Sequence, residues 1–203
     1  MKKSMKIVLG VVAIMLVIAV SVAGTIAYLT SKTAAVRNTF TLGNVTITLD
    51  EHEIEDEYAT AITTNTVQTN EYKLIPGHTY LKDPTVHVDD SSEDCWLFVK
   101  VTNGIAGIEV DADDGDTIAE QMAALGWTPV NNSTDVYAYN AIVSGGTDVV
   151  VFNSFTIAGN ADISNYATAS NNAAVINIIA YAVQADGFGS SAAAWAAAPA
   201  SWE

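Results

Sequence analysis

Four acidic side chains near the middle of the chain have the spacing of a calcium-binding loop. They stand at the first, third, fifth and twelfth positions of an EF-hand-like loop: Glu109, Asp111, Asp113 and Glu120. Carboxylate oxygens clustered in this way suit Ca²⁺. The glycine that such a loop needs at its sixth position comes one residue late, at Gly115. We therefore interpret the cluster as a solvated acidic loop ahead of a helix. Ca²⁺ is the one cofactor hypothesis that the sequence raises.

Catalytic motifs are absent from the sequence. A zinc protease needs histidines at fixed spacing, and His52 begins a His-Glu-x-x-His motif in which Asp56 replaces the second histidine. The other histidines, His78 and His87, do not complete a ligand set by spacing. No serine stands in a Gly-x-Ser-x-Gly elbow. Cys95 lies in an apolar strand, where a buried structural role is typical. We expect a protein that is not an enzyme.

The N-terminal segment has the features of an export signal. Three lysines within the first six residues precede an uncharged apolar run over 7–23, and small residues follow at Thr25 and Ala27. This order predicts a signal peptide over 1–27 that is cleaved between Ala27 and Tyr28. The alternative is a retained anchor, since about 20 apolar residues span a bilayer core of roughly 30 Å. Membrane contact is expected only through this uncleaved segment.

Composition limits the classes of function. Without residues 1–27 the chain keeps five Lys and Arg against all 23 Asp and Glu, a net charge of −18. Such a protein is not expected to bind nucleic acid, because phosphate binding depends on Lys and Arg. The single cysteine excludes an intrachain disulfide. The remaining length suits one domain with its own core.

The periodicity of the exported part predicts a mainly β fold. Alternating or continuous apolar runs predict strands at 39–42, 45–49, 95–102, 127–130, 136–139, 149–152 and 175–183. The run at 95–102 is apolar on both faces and is therefore expected at the centre of a sheet. Many short strands with frequent turns favour an antiparallel β-sandwich of the jelly-roll type over residues 39–203.

One inserted helix and two interruptions complete this prediction. Thr117 and Glu120 form a capping box, and Gly126 is placed to end the helix. Six acids among the eight residues of 50–57 predict a solvated loop. Pro84 cannot donate a ladder hydrogen bond, so its segment is expected at a sheet edge or a bulge.

Cleavage after Ala27 would create a short arm over residues 28–38. Its apolar positions are Tyr28, Leu29, Ala34 and Val36. Such an arm can add as a strand to an open groove of the next molecule. This head-to-tail contact propagates into a filament unless it closes a ring. The alternative is a disordered tail, which is common at chain ends.

Two blocks of sequence resemble the TasA and camelysin-type proteins of Gram-positive bacteria. After the apolar run, the matching positions are Ala27, Tyr28, Thr39, Phe40 and Gly43. Further along, the matching positions are Pro76, Gly77 and Lys82, followed by Trp127 and the segment 180–188. The resemblance covers most of the chain and is to the broad SipW-dependent group rather than to TasA itself.

The resemblance implies a jelly-roll sandwich that is exported by a SipW-type signal peptidase and forms extracellular fibres. We therefore expect a secreted structural subunit of matrix or cell-surface fibres, which self-associates by strand addition. Some members of the group are metallo-endopeptidases, which is the first alternative. The second alternative is a monomeric surface module that binds a ligand through exposed aromatic side chains. Those side chains are Tyr137, Tyr139, Trp195 and Trp202.

Overall fold

A computed structural model of the chain describes Met5, Met15, 44–110, 116–131, 133–164, Tyr166 and 174–198. The chain divides into two units, Met1–Thr41 and Leu42–Glu203, and the fold below is that of the second. Its described residues are mainly β, with antiparallel sheets and two short helices. Apart from Met5 and Met15, the predicted signal peptide and the arm lie outside the described residues.

The described residues contain ten strands in three antiparallel sheets. The strands are β1 Ile47–Ile54, β2 Ile62–Val67, β3 Thr79–Leu81, β4 Thr85–Val88, β5 Cys95–Asn103, β6 Trp127–Pro129, β7 Val136–Tyr139, β8 Asp148–Val150, β9 Ser154–Thr156 and β10 Ile176–Gln184. The first sheet has the order β2-β1-β4-β8 and the second has the order β10-β5-β7-β6. Strands β3 and β9 form a separate pair.

Side chains from both four-stranded sheets enter one hydrophobic cluster. Val86 on β4 and Val149 on β8 come from the first sheet, and Leu97 and Val99 on β5 come from the second. Trp127 on β6 joins them and is fully buried. Burying apolar surface in this way contributes roughly 25 cal/mol per Å². As its apolar pattern predicted, β5 is central, between β10 and β7.

The two helices cover different apolar clusters. Helix α1, Ile118–Ala124, has the predicted capping box, and Ile118 and Met122 are its buried residues. It ends before Gly126, whose φ of +96° lies in the region that favours glycine. Helix α2, Ser191–Ala197, lies on the outer face of the second sheet, where Ala194 and Trp195 pack near Phe98.

Two local predictions were wrong. The acidic run over 50–57 was expected to be a loop, but residues 50–54 belong to β1, which pairs with β2 and β4, and only 55–57 lie outside a strand. A strand is tolerated there because Glu51 has a buried basic partner, described below. Pro84 was expected at an edge or bulge, yet it directly precedes β4, which has a neighbour on each side. Proline is compatible with the start of a central strand.

Candidate strand-accepting groove

Strand β10 carries backbone groups with no strand beside them among the described residues. It lies at the end of the second sheet, and its register with β5 is unbroken over all nine residues. Gly104 N donates to Val175 O at 3.0 Å, and Ala185 N donates to Asp94 O at 2.7 Å. Hydrogen-bonded pairs alternate along an antiparallel ladder. The even-numbered residues of β10 therefore direct their N–H and C=O groups away from β5.

The same even-numbered residues direct apolar side chains toward the main core. These residues are Ile176, Ile178, Ala180 and Ala182, and each is only partly buried. Val175 and Ile179 are 49% and 37% exposed. Considering the described residues alone, this edge combines backbone groups that have no neighbouring strand with incompletely covered apolar side chains, which is the condition that favours pairing with another strand.

A groove separates β10 from β1 and β2. A cavity of about 300 Å³ at one end is lined by Leu49, Asp50, Glu51, Val67, Gln68, Lys82, Pro84, Ile176, Asn177 and Ile178. An adjoining cavity of about 790 Å³ shares several of these residues and is also lined by Tyr72, Ile105, Phe155 and Tyr166. We call the two together the β1–β10 groove. Its walls are mixed apolar and polar, as in sites that bind an extended peptide.

A buried ion pair forms the floor of the β1–β10 groove. Lys82 Nζ contacts Glu51 Oε2, and the two residues are 9% and 5% exposed. Lys82 Nζ also lies 5.7 Å from the ring centroid of Tyr72. Burial raises the pKa of Tyr72, and the negative charge of Glu51 raises it further. Removing either ionic partner would leave an uncompensated buried charge.

Asn70 connects this pair to the backbone of β1. Its Nδ2 donates to Glu51 Oε1 at 3.0 Å and to His52 O at 2.9 Å. Its Oδ1 accepts from Ile54 N at 3.1 Å. At the residue after Glu51 on β1, His52 Nδ1 lies 2.6 Å from Asp83 Oδ2. These contacts hold the segment after β2 against β1 at the groove.

His87 links three strands of the first sheet. Its Nδ1 lies 2.6 Å from Asp148 Oδ1 on β8, and its Nε2 lies 3.0 Å from Asp50 Oδ1 on β1. Burial disfavours the charged imidazole, but the hydrogen bonds to Asp148 and Asp50 outweigh it and raise the pKa of His87. The two ring nitrogens face different carboxylates, so the arrangement suits a charged cross-strand clamp.

We expect His87 to make stability depend on pH near neutrality. A raised folded-state pKa means that its contribution is complete below the unfolded-state pKa of about 6.5 and is lost as pH rises through the folded value. The melting temperature of the His87→Gln variant should therefore fall below that of the wild type by more at pH ~6 than at pH ~8. Thermal unfolding at both pH values measures this difference. An equal deficit at both pH values would contradict the charged clamp.

The described residues of the calcium hypothesis are engaged in other contacts. Glu109 accepts from Ile118 N and, at 2.9 Å, from Asn103 Nδ2. Glu120 Oε2 accepts from Thr117 N and Thr117 Oγ1, each at 2.8 Å, in the capping box. Asp111 and Asp113 lie outside the described residues. Within the part of the chain that is described, no three His, Cys, Asp or Glu side chains form a group suited to hold a metal.

The three histidines and the cysteine have separate environments. His78 Nε2 lies 2.8 Å from Tyr58 O, whereas His52 and His87 contact different carboxylates. Cys95 is fully buried, and burial together with Asp94 raises its pKa to about 11. A thiol of this kind is not activated as a nucleophile. The prediction that Cys95 is buried is confirmed.

Two of the aromatic side chains proposed for ligand binding pack within the fold. The ring centroids of Tyr139 and Trp127 are 5.2 Å apart, and those of Trp195 and Phe98 are 5.0 Å apart. Tyr137 is partly buried, and burial raises its pKa. Trp202 lies outside the described residues, as do Ala27, Tyr28, Leu29, Ala34 and Val36.

Among the residues that the structure describes, no helix is both long enough and apolar enough to cross a membrane. No protein-family model, curated protein or solved structure matches the chain.

Sequence reasoning missed the groove and its polar floor. Lys82 was singled out only by the family resemblance, and neither Glu51 nor Asn70 was singled out at all. Glu51 and Lys82 are 31 residues apart, so no local spacing connects them. The one available signal was a lone lysine between apolar runs in a chain with few basic residues.

Proposed function

We propose that the chain is a secreted, non-enzymatic structural subunit of extracellular matrix or cell-surface fibres. Export and cleavage between Ala27 and Tyr28 by a SipW-type signal peptidase would release the arm, residues 28–38. The arm of one subunit then adds as a strand to β10 of the next. The proposal includes a jelly-roll β-sandwich, which the shared core of the two four-stranded sheets supports.

The observation that carries the proposal is the edge of β10. Its nine residues extend for about 30 Å at roughly 3.3 Å per residue. The eleven residues of the arm extend for about 36 Å on the same basis, which is enough to pair along the whole strand. An added strand would satisfy the outward backbone groups and cover Ile176, Ile178 and Ala180 from the solvent side.

Charge supports the arm as the segment that binds this edge. Residues 28–38 contain Lys32 and Arg37 and no acid. Residues 39–203 contain three Lys and Arg against 23 Asp and Glu, a net charge of −20. Opposite charges on two molecules accelerate their encounter, whereas like charges disfavour their association. A positively charged arm is therefore a better partner for this body than a second copy of the β10 edge would be.

The geometry of such a contact favours a filament. The arm and the β1–β10 groove are formed by different segments of the chain, so a contact between them is heterologous. Each added subunit presents a new open groove to the next arm. Repetition of this contact gives a linear polymer held by main-chain hydrogen bonds, with side-chain pockets setting its direction.

A single backbone change tests the role of β10. The Ala180→Pro variant removes an N–H that points away from β5, and proline is tolerated at such positions of an edge strand. We expect this variant to fold with a melting temperature near that of the wild type and to form few or no fibres. The matched Ala180→Ser variant keeps the N–H and should form fibres. Electron microscopy and circular dichroism measure the two properties.

A folded Ala180→Pro protein that polymerises at the wild-type rate would exclude β10 as the accepting edge. Loss of fibres in both variants would point instead to packing of the side chain at position 180.

A further inference from the structure

One buried carboxylate accepts hydrogen bonds from two side-chain nitrogen atoms in different parts of the chain. Glu51 Oε2 accepts from Lys82 Nζ, and Glu51 Oε1 accepts from Asn70 Nδ2 at 3.0 Å. An amine, a carboxamide and a carboxylate that transfers protons between them are the groups needed to join two side chains by an amide bond. In this structure all three lie at the floor of the β1–β10 groove.

Both polar atoms of the Asn70 carboxamide have hydrogen-bond partners that suit the reaction. Its Oδ1 accepts from Ile54 N at 3.1 Å, so a backbone N–H stands where negative charge develops on this oxygen during addition. Its Nδ2, the atom that must leave, faces Glu51 and also donates to His52 O at 2.9 Å. The amide oxygen thus has a hydrogen-bond donor, and the amide nitrogen lies beside the carboxylate that would carry protons to it.

The reacting pair is shielded from water. Glu51 and Lys82 are almost completely buried, and the ring of Tyr72 lies beside the amine. Because Lys82 Nζ contacts the Glu51 carboxylate, that carboxylate is placed to take a proton from the amine during the reaction. The uncharged amine that results is the nucleophilic form of lysine.

We propose that Lys82 and Asn70 become joined by an intramolecular isopeptide bond, with Glu51 as general base and general acid. Nζ attacks Cγ of Asn70, a C–N bond forms, and the Oδ1 charge is held by Ile54 N–H. The Cγ–Nδ2 bond then breaks. The Lys82 ammonium carries three hydrogens on Nζ, and the amide nitrogen of the product carries one. Glu51 passes the two released protons to Nδ2, which departs as ammonium. The Glu51 carboxylate is regenerated, and no oxidant, reductant or cofactor is consumed.

Such a bond would close the loop between the end of β2 and the end of β3. The chain contains a single cysteine, so a disulfide cannot perform this role within one molecule. A covalent bond that closes a loop stabilises a protein chiefly by restricting its unfolded state. The inference is independent of fibre formation, because it concerns one chain alone.

Mass spectrometry of the intact purified protein tests the bond. We expect the wild-type mass to be lower than the sequence mass by one ammonia molecule. After trypsin, a branched peptide should join 38–73 to 74–100, because an amide-linked lysine is not cleaved. The Lys82→Arg and Glu51→Gln variants, which keep size and hydrogen-bonding capacity, should have their full sequence masses. Lys73→Arg, at an exposed ion pair, should keep the bond.

Two results would overturn the inference. One is a wild-type mass equal to that of the sequence. The other is a loss of ammonia that persists in Lys82→Arg, since cyclisation of Asn70 onto its own backbone releases ammonia without any lysine. If a variant fails to fold, the branched wild-type peptide still decides the question, because fragmentation locates the linked residues directly.

Discussion

Removing residues 28–38 from the exported chain is expected to abolish fibres while leaving the body folded. The core described above is built from residues after position 44, so the deletion takes nothing from it. The open edge of β10 would then have no arm to pair with in any neighbouring molecule. We expect a monomer by sedimentation velocity, with far-ultraviolet circular dichroism close to that of the full exported protein. Fibres of normal length and number from the shortened protein would contradict the arm hypothesis.

A synthetic peptide of residues 28–38 provides the matching control. It should bind the shortened protein in a one-to-one ratio and raise its melting temperature with increasing peptide concentration, because a ligand that binds only the folded state stabilises it. A peptide with Lys32 and Arg37 replaced by Glu should bind more weakly, and the difference should shrink at high salt. Equal binding by the two peptides would exclude a contribution from charge.

The Trp127→Ala substitution is expected to have the largest effect on the stability of a single subunit. Trp127 is fully buried, and its Nε1 donates to Val150 O at 2.9 Å, which joins β6 of the second sheet to β8 of the first. Truncation of a buried aromatic residue to alanine costs about 3–5 kcal/mol. An orphaned carbonyl adds to this cost. We therefore expect a melting temperature lower by roughly 10 °C or more.

Urea denaturation of the two proteins measures this free energy of unfolding. The exposed neighbour on the same strand, Thr128, supplies the control. Thr128→Ala should change stability by less than about 0.5 kcal/mol. A Trp127→Ala protein as stable as that control would mean that the two sheets do not depend on this contact.

Local signals predicted the elements whose partners are close in sequence. The capping box is recognised from Thr117 and Glu120, three positions apart, and the strands β6 and β7 were each predicted from their own residues. Pro76-Gly77 is a turn dipeptide of the same local kind, and Gly77 has a positive φ of +79°. These features depend on residues that lie close together along the chain, so a short stretch of sequence is enough to recognise them.

Features that depend on distant partners were not predictable. The acidic run was assigned to a loop because charged side chains are usually solvent-exposed. In the structure, side chains alternate between the two faces of β1, and Glu51 points inward, where it is paired with Lys82. Pro84 was assigned to an edge or a bulge because the neighbours of β4 are not visible in its own sequence. The β1–β10 groove belongs to the same class, since β1 and β10 lie more than 120 residues apart.

Negative-stain electron microscopy of the purified protein beginning at Tyr28 tests the central claim most directly. We predict unbranched filaments that lengthen with protein concentration and are absent when Ala180→Pro is introduced. Uniform monomers at every concentration, from a protein shown to be folded, would contradict the claim that this chain assembles itself by strand addition.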